Sequence, residues 1–119
     1  MSDRVAVLPD GVLPGLRIEV SSFDGAGAVV LTGELDLATA PELEAALATV
    51  SGALDVDCRS LTFIDAAGIA VLLRASKRMT SIQLHQPSAL TRKVVTVLGL
   101  DAIFFTDDDP RPRAAVRAA

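Results

Sequence analysis

Apolar and polar residues alternate over Leu16-Arg-Ile-Glu-Val20, the period of a strand with one face buried. A Ser-, Asp- and Gly-rich turn spans Ser21 to Gly27, and Ala28-Val-Val-Leu-Thr-Gly33 follows as a second strand, so the two predict a hairpin. After Glu34-Leu-Asp-Leu-Ala-Thr-Ala40 the period changes. Leu43, Ala46, Leu47 and Val50 recur three or four apart, which predicts a helix from near Pro41. Thr39 or Ala40 is placed at its cap, with Glu42 three residues beyond Thr39 as in a capping box, and Ser51-Gly52 ends it. Ala53-Leu-Asp-Val-Asp-Cys58 alternates again as a third strand, and Ile82-Gln-Leu-His85 reads as a fourth. Pro87-Ser88 opens a third helix with a stripe of Leu90, Val94, Val97 and Leu98, ended by Gly99. Leu100 to Phe105 is expected to contain a short fifth strand. Asp107-Asp-Asp-Pro110 then signals a helix start, and residues 106–119 form a last helix or a tail.

The centre of the chain is Leu61-Thr-Phe-Ile-Asp65-Ala-Ala-Gly68-Ile-Ala-Val-Leu-Leu-Arg74, read as the end of a buried strand, a tight turn and the start of a helix. Asp65 is a strong N-cap residue, because its carboxylate can accept the free N–H groups of a first helical turn. Gly68 allows a close backbone approach. Ile69, Leu72 and Leu73 fall on one face of a helix running from about Ala66 to Met79, with Arg74, Lys77 and Arg78 towards the end where the helix dipole favours cations. Strands alternating with helices predict an α/β domain with a mixed sheet: an antiparallel first pair, then strands joined by helices.

The chain of 119 residues is the size of one domain, with residues 1–14 a loose arm carrying at most a short strand at Val5–Leu8, and residues 15–119 the folded unit. Hydrophobic residues make up 50% but aromatic ones only 3%, a core of small aliphatics suited to helices packed closely on a sheet. The formal net charge of −4 gives a nucleic-acid role little support. The single cysteine, Cys58, lies in a strand-like run and reads as a small buried hydrophobe. No apolar run is long enough to span a membrane, and the expected location is cytoplasmic.

Catalytic chemistry finds no footing. One histidine, His85, stands at a strand end, where a lone His is a surface or internally satisfied residue far more often than a base. There is no Cys/His metal cluster and no Gly-rich phosphate loop with a lysine, so neither a metal nor a cofactor is expected. Glu34, Asp36 and Asp65 can converge on the central turn, but helix capping accounts for them as well as an acid–base pair does.

Two motifs in order carry a resemblance. Gly33-Glu34-Leu35-Asp36 resembles the run that closes the second strand of STAS domains, and Asp65-Ala66-Ala67-Gly68 resembles the Asp-Ser-Ser/Thr-Gly signature of the anti-sigma factor antagonists of that family. Their spacing, with Gly99-Leu100 after the third helix, extends the likeness over roughly Leu16 to Phe105. It implies a STAS-like mixed α/β sheet of about four or five strands with three or four helices.

The resemblance also implies a function: binding an anti-sigma factor of the serine-kinase type and so releasing a sigma factor, a role in transcription regulation without catalysis. The regulatory phosphate of such antagonists sits on the residue before the glycine. Here that residue is Ala67, with Ala66 beside it, so the site is degenerate and the switch non-phosphorylatable there. Thr39, Ser60 and Thr62 are the hydroxyls nearest in sequence. The partner-binding residues implied are Glu34, Asp36, Thr39, Asp65, Ala66, Ala67, Gly68 and Ile69, and the expected oligomeric state is a monomer or weak homodimer. The same fold also serves as a subunit of lipid-transport ATPase complexes and of stress-signalling assemblies, roles that need no hydroxyl at this position.

Overall fold

The computed structural model describes residues 15–23 and 25–105, and the expectations for Val5–Leu8 and for 106–119 lie outside them. The chain runs β1 (Leu16–Phe23), β2 (Ala26–Leu35), α1 (Ala40–Leu47), β3 (Ala53–Ile64), α2 (Ala66–Arg78), β4 (Ser81–His85), α3 (Ala89–Val97) and α4 (Asp101–Phe104). The four strands form one sheet in the order β1-β2-β3-β4. β1 and β2 are the antiparallel hairpin, from Leu16 opposite Gly33 to Phe23 opposite Ala26. β2, β3 and β4 are parallel.

Parallel neighbours joined by helices fix where α1 and α2 lie. Right-handed crossovers from β2 to β3 and from β3 to β4 put both helices on one face, where they pack against each other. That face carries Val29, Leu31, Leu54, Val56, Ile82 and Leu84 from the strands, with Leu43 and Leu47 of α1 and Ile69, Leu72 and Ala75 of α2 against them, all buried. Each such leucine contributes about 1.5–3 kcal/mol by leaving water. α3 packs on β3 and α4 on β4, so β4 is buried from Ile82 to His85 without alternation.

Three expectations are corrected. Leu100 to Phe105 is not a strand: Gly99, at φ +75°, turns the chain out of α3, and amides of Ile103 and Phe104 bond back to the Leu100 carbonyl as a helical turn. Phe104 alone of that turn is fully buried. The third helix begins as expected, with Ser88 Oγ accepting the Thr91 N–H at 3.0 Å, but it buries Thr91 and Val95. Of its apolar stripe, Val94 is half-buried against the core while Leu90, Val97 and Leu98 are exposed, because Thr91 and Val95 lie on the side turned to the sheet. Third, β3 is one strand of twelve residues running through Arg59-Ser60 to Ile64, its register against β2 shifting twice. Those shifts lengthen β3 relative to its neighbour and bring its end level with that of β2, at Leu35 opposite Ile64.

Candidate functional site

The carboxyl ends of β2 and β3 each give way to a turn and a helix, the place where open parallel sheets present loops. The turn after β2 is held by Asp36. Its Oδ1 accepts the N–H groups of Ala38 at 3.0 Å and Thr39 at 3.1 Å, an Asx turn. Thr39 Oγ1 accepts the Asp36 N–H at 2.9 Å and donates to the Glu34 carbonyl at 2.8 Å. The capping box expected between Thr39 and Glu42 therefore does not form: the hydroxyl points back to β2, and Thr39 makes no side-chain bond into α1.

The turn after β3 is held by Asp65. It caps α2 from an extended conformation, with Oδ1 accepting the Gly68 N–H at 3.1 Å. Its other oxygen, Oδ2, accepts the Leu37 N–H at 3.3 Å, and its own N–H donates to the Leu35 carbonyl at 3.2 Å. One carboxylate thus ties the two turns together. Gly68 is the contact between them. A Cβ there would lie 2.6 Å from Leu35 Cγ, 2.8 Å from the Leu35 carbonyl oxygen and 3.1 Å from Ile64 Cγ1, so α2 can start this close to β2 only without a side chain at that position.

Of the residues expected to form a partner site, the structure brings Asp36, Asp65, Ala66 and Ala67 to one surface, with Glu34 exposed on the adjoining strand end. Ala66 is exposed and Ala67 half-buried against the core. Thr39, Gly68 and Ile69 are buried and support the surface from behind. The other candidate hydroxyls divide likewise: Thr39 is buried and committed to the turn, whereas Ser60 and Thr62 are exposed, Thr62 donating to the Gly33 carbonyl at 3.0 Å.

Leu37, between the two carboxylates, was not among the expected residues. It is 76% exposed. The alternation Leu35-Asp36-Leu37 hides it, since it suggests a continuing strand with Leu37 on the core side. The sequence signal that would have exposed it is Asp36 with Ala38-Thr39 two and three residues on, the Asx turn that ends the strand one residue earlier.

Elsewhere, the lone histidine is an internally satisfied one. His85 Nε2 lies 2.8 Å from Asp55 Oδ1, and both side chains are buried. Cys58 is buried, and burial pushes its thiol up to about 12. Arg74 and Glu44 link α2 to α1 through a two-pronged ion pair with a shorter contact of 2.7 Å. Among the described residues no group of three or more His, Cys, Asp or Glu side chains could hold a metal ion, and no helix is long and apolar enough to cross a membrane.

Comparison with known proteins settles the family. The sequence profile described as "Mlab, STAS domain" matches residues 18–106. The chain belongs to the STAS domain family. It is similar to the anti-sigma-F factor antagonist RsfB of Mycobacterium tuberculosis, with 26% identity over 96 residues that cover 75% of this chain and 79% of RsfB. An anti-sigma factor antagonist from Mycobacterium paratuberculosis superposes with a TM-score of 0.65 at 26% identity, over 83% of this chain and 87% of that one. The phosphorylated form of the Bacillus cell fate determinant SpoIIAA superposes with a TM-score of 0.61 over 87% of this chain and all 100% of that one; at 20% identity the likeness is one of fold. This STAS domain is therefore homologous, at modest identity, to proteins named as antagonists of anti-sigma factors, a regulatory binding role.

Proposed function

We propose that this STAS domain is an anti-sigma factor antagonist that binds a kinase-type anti-sigma factor, and so frees a sigma factor, through the surface made by the Asp36 turn and the start of α2. The observation that carries this reading is the position of Ala67. It is the second residue of α2, half-buried beside the carboxylate that joins the two turns, where the resemblance puts a regulatory hydroxyl. A phosphate there would add roughly −1.5 to −2 charges next to Asp36 and Asp65. With a methyl group instead, the surface keeps the form that accepts the partner. Control by abundance or by another partner then replaces control by phosphorylation at this residue.

The experiment is a binding titration of the purified chain against each purified kinase-type anti-sigma factor of its source organism, with ATP and with ADP. The expected result is a complex with one of them that persists in ATP. Ala67→Ser should make the chain a substrate for that kinase, and Ala67→Glu should weaken the complex. No complex with any of them overturns the reading. Unchanged affinity in Ala67→Glu moves the interface elsewhere.

A second reading also accommodates the missing hydroxyl: a docking subunit of a lipid-transport ATPase complex or of a stress-signalling assembly, where no phospho-switch is needed. Capture of a transport ATPase, with no affinity for anti-sigma factors, would select it.

A further inference from the structure

We propose that Leu37 is the anchor of the partner surface, and that the surface it fits is an apolar socket rimmed by lysine or arginine side chains; this rests on the antagonist reading above. A single exposed leucine is ordinary on any protein. Leu37 differs in how it is held and in what surrounds it. Its backbone N–H is fixed on Asp65 Oδ2, and the residues on either side are locked by the Asx turn of Asp36 and the Thr39 hydroxyl. The side chain therefore projects from a rigid turn, with little backbone freedom left to lose on binding.

Other exposed apolar groups occur at the same end of the sheet. Ala38 is next in the turn, and Ala66 opens α2. Phe63, opposite Glu34 in the ladder, is 42% exposed. Around them stand Glu34, Asp36 and Asp65. Residues 31–40 and 60–73 contain no lysine or arginine. The basic groups that flank the second run are already engaged, Arg59 with Asp57 at 2.9 Å and Arg74 with Glu44, and the nearest one before the first run is Arg17, on β1 opposite Thr32. An apolar centre inside an acidic rim is the complement of an apolar pocket with a basic rim. In such interfaces the central side chain contributes most of the affinity, while the rim charges act mainly on the association rate and its salt dependence.

The test uses full-length chain and the anti-sigma factor found to bind it, with Leu37→Ala, Glu34→Lys and Ala67→Glu measured side by side. Neither Leu37 nor Glu34 uses its side chain to hold the turn, so thermal midpoints should match the wild type. Leu37→Ala should weaken the complex by about 30-fold, mostly through faster dissociation. Glu34→Lys should slow association several-fold at low salt, the difference closing as salt screens the rim. Wild-type affinity in Leu37→Ala while Ala67→Glu loses binding overturns the anchor and leaves the antagonist reading standing. A salt-independent association rate overturns the basic rim. If the wild-type chain binds no anti-sigma factor, the antagonist reading falls and the anchor with it.

Discussion

Leu37 and Asp65 belong to different turns, 28 residues apart, and are joined by one hydrogen bond of 3.3 Å from the Leu37 N–H to Asp65 Oδ2. Because Oδ1 of the same carboxylate caps α2 at Gly68, the helix start and the β2–α1 turn share a single support. Asp65→Ala should remove both bonds. The cap alone is worth about 1–2 kcal/mol. The expected outcome is a loss of that size in denaturant unfolding, together with faster hydrogen exchange at the Leu37 and Gly68 amides and unchanged exchange in the centre of β3. Slower or unaltered exchange at Leu37 would mean that the Asx turn of Asp36 holds this segment by itself.

Gly68→Ala tests the closeness of α2 to β2. In an exposed helix the change would stabilise by up to about 1 kcal/mol, because glycine is the poorer helix former. Here the added Cβ meets a leucine side chain at 2.6 Å and a backbone carbonyl at 2.8 Å, and the carbonyl belongs to a sheet strand that cannot turn aside. The clash should dominate, with a net destabilisation of about 1–3 kcal/mol in urea unfolding. A stabilised variant would show that the helix start can back away from Leu35 without loss.

The sequence made most of this architecture readable because local period and tertiary burial agree in the hairpin, α1 and α2. The Asp65 cap was legible for the same reason: its role is satisfied within three residues, at the Gly68 amide. What failed did so where a distant partner decides. Thr39 has the right spacing from Glu42 for a capping box, yet its hydroxyl bonds the Glu34 carbonyl, an acceptor presented by the end of a strand. The apolar stripe of α3 has the right spacing to face a core, but of it only Val94 packs there, and the residues the helix buries fully are Thr91 and Val95. Asp55 and Gln83, in strands and both buried, could not be assigned a face from alternation alone, because β4 is covered on both sides.

The buried pair of His85 and Asp55 joins β4 to β3 within the covered part of the sheet. A buried carboxylate deprived of a hydrogen-bond partner costs on the order of 2 kcal/mol, more than a surface pair would. His85→Leu, similar in bulk but unable to bond Asp55, should lower stability by about that amount, and Asp55→Asn should cost less because an amide is cheaper to bury than a charge. Both are read from unfolding midpoints. Equal stability of His85→Leu and wild type would show that other bonds of Asp55 suffice. Partner binding should be unaffected in either variant, since β3 runs on from Asp57, the residue level with His85, to Ile64 before it reaches the Asp36 turn.

Cys58 links burial directly to pH. It is 1% exposed, and removal from water raises its thiol from an ordinary 9.0 to about 12, with the neighbouring Asp57 charge adding to the effect. At pH 8 the native thiol should therefore resist an aromatic disulfide reagent for as long as the fold stays closed, and react at once in denaturant. The sign of the stability effect follows from the same shift. The folded chain holds this proton more tightly than the unfolded chain, so the contribution is fully present below pH 9 and is lost as pH rises from 9 towards 12. Cys58→Val removes the titrating group while keeping a small apolar side chain, so its stability should fall less steeply than the wild type's over that interval. The measurement is the urea midpoint of both proteins at steps between pH 8 and pH 11, a window set by the two thiol values. Parallel curves would mean that the thiol reaches water in the native state, and fast labelling at pH 8 would say the same independently.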